Sequence, residues 1–210
     1  KAGESKARSG IPAAVIALSL FLVGLSAMDR LENPFQWGEW REPPTSSATS
    51  RSAQPALAGI RMSQSTAAFV DTVTDQILRY SRPGDPVFIF PHMPLFYVLS
   101  QREPPTFAYI HWFDVAPDYI AANDAQTLLA SRPAVLVNYE LSAAEWAINE
   151  REFRGGRPAG QRLIRQAIAS LGSSPDYRIV EEIAAPLTGR RVTVWARHDR
   201  IPADDSRQPR

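Results

Sequence analysis

Apolar and polar positions divide the chain into three stretches of different character. Residues 9–28 carry no formal charge and are apolar at most positions, with Arg8 before them and Asp29 after. At about 1.5 Å rise per residue, twenty residues make about 30 Å, the hydrocarbon thickness of a bilayer. Pro12 falls in the first turn, where its missing N–H costs nothing. A buried core helix fits poorly, because no polar face emerges at any helical offset. A cleaved signal sequence is the better rival, with a basic start, an apolar run and the small residues Gly24 and Ser26 near its end. The length of the run favours an uncleaved transmembrane helix over 11–28. Residues 1–10 are then a cytoplasmic stub, because Lys1, Lys6 and Arg8 outnumber Arg30 and Arg41 on the other side.

Between 29 and 57 the pattern predicts a linker. Six of the ten residues 45–54 are Ser or Thr, and prolines flank them, a composition that stays extended and solvated. Trp37 and Trp40 suit the headgroup layer, where an indole meets both media. Packing of the pair on the domain is the equal alternative.

From Ser63 helix and strand signals alternate. Phe69, Val73, Ile77 and Tyr80 share a helix face, with Ser65 or Thr66 as cap, and Arg82-Pro-Gly-Asp85 stops it. Residues 87–90 read as a strand covered on both faces, and 106–110 as a second strand. A short helix over 124–130 leads to a buried strand at 134–138. Ser142 with Glu145 forms a capping box, and 162–171 is the clearest amphipathic helix. Residues 177–183 and 190–197 read as an antiparallel edge pair. The expectation is an α/β three-layer sandwich over 58–198 with a mainly parallel sheet, preceded by one transmembrane helix. Residues 199–210 form a flexible tail.

Composition narrows the chemistry. Lys+Arg is 23 against Asp+Glu 22, so no whole-chain field draws in nucleic acid. With no Cys there is no disulfide, thiolate nucleophile or Cys-ligated metal. Numbering opens on Lys1 rather than Met, which suggests a start inside a longer or processed product.

No phosphate loop and no Gly-x-Ser-x-Gly elbow occurs, and the three histidines lack metal-ligand spacing. Neither a catalytic residue, a metal site nor a cofactor is expected. Ligands in open α/β sheets gather beyond the carboxyl ends of strands, which singles out His92, then His111 and Asp114, then Tyr139 and Glu140. They form either one polar crevice or a set of loop residues satisfying local backbone. Trp112, Phe113, Trp146 and Arg154 are the candidate anchors for a protein partner, and core filling by the tryptophans is the equal alternative.

Arg82-Pro-Gly-Asp-Pro-Val-Phe-Ile-Phe-Pro91 and Phe96-Tyr-Val-Leu-Ser-Gln-Arg-Glu-Pro-Pro105, with Ser131-Arg-Pro-Ala-Val-Leu-Val137 and Phe153-Arg-Gly-Gly156, resemble the soluble tail of GT-C class membrane glycosyltransferases. These enzymes use polyprenol-phosphate-linked sugars and are related to dolichyl-phosphate-mannose protein mannosyltransferases. The resemblance covers about 58–197 and implies an extracytoplasmic α/β domain. The family's catalytic acids lie in a multi-span amino-terminal half that these residues do not contain, so none is carried over.

Two functions follow as expectations. The first is a non-catalytic, single-pass subunit in a bacterial inner membrane, its periplasmic domain docked on a larger photosynthetic, respiratory or envelope-synthesis complex. Its partners are then the lipid bilayer and integral membrane proteins. The second is the carboxy-terminal portion of a GT-C transferase. A sugar- or lipid-head-binding module built on the His92 crevice is a weaker third.

Overall fold

The computed structural model describes residues 10–34, 36–37, 40–41 and 43–203. The stub residues Lys1, Lys6 and Arg8, and the expected tail from Asp204 onward, lie outside the described residues. The start of that tail is not flexible: Asp199 and Arg200 are held by ion pairs with Arg197 and Asp85 respectively. Helix α1, Gly10–Glu32, is long and apolar enough to cross a membrane as an anchor or to act as a signal sequence, and its span Ala13–Glu32 is 0% buried. It runs past the expected end at 28 because Asp29-Arg-Leu-Glu32 is helix-compatible, and Pro34 then bars Asn33 from continuing it. Two short strands follow, β1 (Gln36–Trp37) and β2 (Trp40–Arg41), with Trp37 opposite Trp40 in an antiparallel pair. The side chains of these two tryptophans lie outside the described residues.

The Ser/Thr stretch is not solvated to its end. Ser50 bridges Met62, and the Asp71 carboxylate accepts from Ser52 Oγ and from Ala53 N at 3.0 Å. Gln54 Nε2 donates to Asp75 at 3.3 Å, and Leu57 enters the core. Both carboxylates belong to helix α2, Gln64–Tyr80. Short polar side chains thus dock this segment through hydrogen bonds, without the apolar surface that burial ordinarily needs. The cap of α2 is Ser63, whose Oγ accepts from Thr66 N at 3.2 Å, rather than Ser65 or Thr66.

The core sheet has four strands in the order β3-β4-β6-β5: Val87–Phe90, Val135–Tyr139, Arg191–Arg197 and Tyr177–Ala184. Only β3 and β4 pair in parallel; β4–β6 and β5–β6 are antiparallel. The mainly parallel ladder expected from the alternation is therefore corrected to a mixed one. Strands β3, β4 and β5 do run in one direction, as alternating helices require. The returning strand of the last hairpin, β6, inserts between β4 and β5 and converts two of the three ladders to antiparallel.

Helices cover both faces. Gln76 of α2 donates to Glu181 at 3.3 Å, and Glu181 lies opposite Val194. On the next residue of β6, Trp195 lies against Gly172 of α6, Gln161–Gly172. Neighbouring strand residues point to opposite faces, so α2 and α6 lie on opposite sides. Helix α4 (Asp118–Ser131) packs on α6, and α5 (Ala143–Arg154) starts from the expected capping box on Ser142 and Glu145.

Residues 106–110 form no strand. They run beside edge strand β3, and their own amides turn away: Phe107 N and Ala108 N donate to Asp124 at 3.0 and 3.1 Å. The outward amides of β3 are used nonetheless. Val87 N donates to Glu103 O at 3.0 Å, and Ile89 N to the hydroxyl of Tyr97, in α3 (Leu95–Ser100), at 2.9 Å. This covers an edge that otherwise invites pairing with another chain.

Candidate functional site

The carboxyl ends of β3 and β4 were the expected place for a site, and the structure gathers aromatic residues there. The imidazole of His92 lies between Trp112 and Tyr139, ring centroids 4.8 and 4.9 Å away, both edge-on. Burial among these rings removes water from the charged form and pulls His92 down to about 4. Tyr139 turns its hydroxyl to Thr188 Oγ1 at 2.6 Å.

His111 is placed apart from this stack. It is fully buried, packs its ring on Phe88 and Phe90, and meets Asp124 Oδ2 through Nε2 at 3.0 Å. Desolvation lowers its pKa against the opposing pull of Asp124. The neutral ring then carries its proton on Nε2 and donates it to Asp124, leaving Nδ1 as an acceptor with no partner among the described residues. Asp124 collects three donors, the amides of 107 and 108 and this imidazole. With both side chains at 0% exposure, the dyad is out of reach of a substrate. It pins the loop that covers β3.

The remaining expected crevice residues do not join His92. Asp114 is exposed on its loop, and Glu140 is exposed and paired with Arg191 at 2.8 Å. Of the expected anchors, Phe113 and Trp146 are 1% and 2% exposed, their rings 5.1 Å apart, so they fill the core instead of presenting a surface. Trp112 is half-buried against the same cluster. Arg154 is committed to Asp118, with Nε to Oδ1 at 2.7 Å, and to the carbonyl of Ala116 at 3.1 Å. No family model, curated protein or solved structure matches this chain.

Among the described residues there is no group of three His, Asp or Glu fit to hold a metal ion. Cavities of about 360 and 400 Å³ lie at the other end of the sheet, beside Arg132 and Asp176 and beside Asp85 and Arg102. Arg102 is buried there and gives its guanidinium to Ser81 Oγ and to the carbonyls of Ser81, Ser100 and Gln101. It thereby caps the carboxyl ends of α2 and α3, whose exposed carbonyls favour a cation.

Two groups central to the domain were not foreseen. Asp124 sits on the buried face of α4 with Ala121, Ala125 and Leu128, and a carboxylate at an apolar helical spacing is the signal that it must be partnered. The second is the stacking of Arg162 and Arg165 on Trp146, at 5.3 and 5.1 Å from the ring centre. Its signal was two arginines three residues apart, on one face of the strongest amphipathic helix.

Proposed function

We propose that the chain is a non-catalytic, single-pass subunit whose α/β domain, on the periplasmic side of a bacterial inner membrane, docks on a larger membrane protein complex. The observation that carries this reading is one chain with two uncovered apolar surfaces. One is α1, whose apolar length is wholly exposed. The other is the face of α3 and its neighbouring loop, where Phe107 is 78%, Val98 66% and Tyr109 48% exposed. Isolated exposed apolar residues are ordinary; several together, two of them aromatic, mark an interaction surface. The charge bias around α1 supports the periplasmic orientation.

The test is co-purification of the tagged full chain from its native membranes in mild detergent. Phe107→Ser combined with Val98→Ser should cut recovery of partner proteins at least several-fold, the loss of one or two aromatic or aliphatic anchors, without changing the melting temperature. Unchanged recovery would sink the docking reading. Protease added to spheroplasts should cut before Ser50 and leave the domain intact; protection there with cleavage in inverted vesicles would reverse the orientation.

A second reading, the tail of a GT-C transferase, draws support from the way its motif residues build one unit: the 82–85 turn, β3 and α3 are consecutive parts of a single edge of the domain. The coding sequence upstream of Lys1 discriminates. Several apolar spans in the same frame favour the transferase, and a start codon within a few residues favours the subunit.

A further inference from the structure

Five arginines cluster across the end of α5, the turn after it and the start of α6: Arg151, Arg154, Arg157, Arg162 and Arg165. Three of the five are matched. Arg151 pairs with Glu152 at 3.4 Å, Arg154 with Asp118 at 2.7 Å and Arg162 with Glu150 at 2.5 Å. Arg157 and Arg165 make no contact ion pair among the described residues. They act only at longer range, Arg157 on Asp118 and Arg165 on Glu150, carboxylates already in contact with Arg154 and Arg162. Arg157 gives Nε to the carbonyl of Arg154 at 3.3 Å, and Arg165 lies over the Trp146 ring. Both are exposed, as are Phe153, next to Arg154, and Tyr119, next to Asp118, at 42% and 73%.

The turn is held rigidly. Asp118 Oδ1 accepts from Gly160 N at 2.9 Å as well as from Arg154, and Glu150 accepts from Ala159 N at 2.9 Å as well as from Arg162. The Arg162 guanidinium keeps Glu150 below its ordinary value, so that clamp stays ionised.

The chain topology fixes which way this surface faces. Helix α2 joins β3 by the short turn at 81–86, so α2 begins at the carboxyl edge of the sheet. The segment arriving from α1 is fastened there by the Ser50–Met62 bridge, immediately before α2. Helix α4 also begins at that edge, since it returns the chain to the start of β4. Asp118, its first residue, holds the α5–α6 turn. The tether and the arginine turn therefore share one edge.

We propose that the α5–α6 turn is a membrane-surface site that binds acidic phospholipid headgroups, with Arg157 and Arg165 meeting the phosphates and Phe153 and Tyr119 entering the interfacial layer. The inference rests on α1 as an anchor, which keeps the domain permanently beside a bilayer, so that even weak headgroup contacts act at high local concentration. Charge complementarity selects the occupant. An acidic leaflet attracts each additional arginine, whereas guanidinium groups beside aromatic rings suit the headgroup boundary.

The full chain is reconstituted in bilayers of phosphatidylcholine alone or with phosphatidylglycerol. Because the chain lacks Cys, one cysteine at Pro158→Cys carries an environment-sensitive dye, and a reference dye sits at Ser173→Cys. Acidic lipid should shield the dye at 158 from aqueous iodide and leave the one at 173 accessible. High salt should reverse the shielding. Arg157→Gln and Arg165→Gln should each lower the ratio of bound to free domain about 5-fold. Asp114→Asn, which removes an exposed carboxylate on the adjoining loop, should raise it. Equal accessibility of both dyes in all lipids overturns the proposal, as does shielding indifferent to acidic lipid. Failure of the chain to float with the bilayers overturns the anchor instead, and so separates the two.

Discussion

The two edges of the sheet treat charge in opposite ways. At the amino-terminal edge, Arg200 grips Asp85 through Nε and Nη2 at 2.8 and 2.7 Å and reaches Asp199 at 3.0 Å. Asp199 also takes Arg197 at 2.6 Å, Arg197 donates to the carbonyl of Arg132, and Arg132 pairs with Asp176. Arg132, Arg197 and Arg200 each have a carboxylate, while Arg102 is satisfied by carbonyls and a hydroxyl, so the network ties the strand starts together. At the carboxyl edge a buried imidazole, His111, is set against Asp124, Glu150 is clamped by Arg162, and Arg157 and Arg165 face outward without a contact ion pair. Two cavities lie at the first edge, although ligands in open sheets favour the second. A cavity walled by mutually satisfied ions offers a ligand few unspent groups. The interaction chemistry left over lies at the carboxyl edge.

The comparison is broken most severely at Asp124. Asp124→Ala strands three donors, the fully buried imidazole of His111 and the part-buried amides of Phe107 and Ala108, each costing about 1–3 kcal/mol where water does not replace the carboxylate. The expected loss is about 3–5 kcal/mol in urea unfolding, with residues 106–111 losing amide protection first. Asp85→Ala at the other edge should cost only about 1 kcal/mol, because its pair is partly solvated. Equal losses would mean that the two edges are built alike.

That asymmetry explains what was legible in the sequence. Local rules exposed most elements: the capping box at Ser142, the breakers at 82–85, the apolar runs of β3 and β4 and the hairpin of β5 and β6. The ladder order was hidden, because insertion of β6 between β4 and β5 depends on non-local pairing that no window contains. Residues 106–110 have strand composition and lie along a strand edge, but Asp124 captures their amides first. His92 and Tyr139, two of the residues expected at one crevice, were placed side by side as edge-on rings. The others were not, because Glu140 and Asp114 follow strands in sequence while their side chains are exposed away from the stack.

The edges should also separate by pH. The ordinary pKa of histidine is 6.5, and burial takes His92 to about 4 in the folded chain. Between those values the unfolded chain binds a proton that the folded one refuses. Stability is therefore complete above pH 6.5 and falls as pH drops towards 4, by about 1.4 kcal/mol per unit for one histidine. His111 adds in the same direction. Asp85 and Asp199, held below their ordinary 3.8 by Arg200 and Arg197 respectively, keep their contribution through this window and lose it only in stronger acid. Urea unfolding at pH 7, 6, 5 and 4.5 should show the decline, and His92→Phe should reduce its slope by about one proton. A slope that His92→Phe leaves intact would remove His92 as a source.

Two glycines of α6 and its approach set a rigid neighbour against a yielding one, and the second gives the smallest effect of all. A Cβ at Gly160 would lie 2.6 and 2.7 Å from the backbone oxygen and Cα of Asp118. Backbone held by α4 cannot withdraw, and the clamp of Asp118 on the Gly160 amide would open. Gly160→Ala should cost about 1–3 kcal/mol, the range for overpacking. At the far end of the helix, a Cβ at Gly172 would meet Trp195 Nε1 at 2.9 Å. That indole is a half-buried side chain, free to tilt by a few tenths of an ångström. Alanine also gains up to about 1 kcal/mol over glycine within a helix, less in its last turn. The two terms nearly cancel, so Gly172→Ala should change stability by less than about 0.5 kcal/mol while shifting the fluorescence of Trp195. A loss at Gly172 as large as that at Gly160 would show that the amino edge is packed as tightly around its indole as the carboxyl edge is around its backbone.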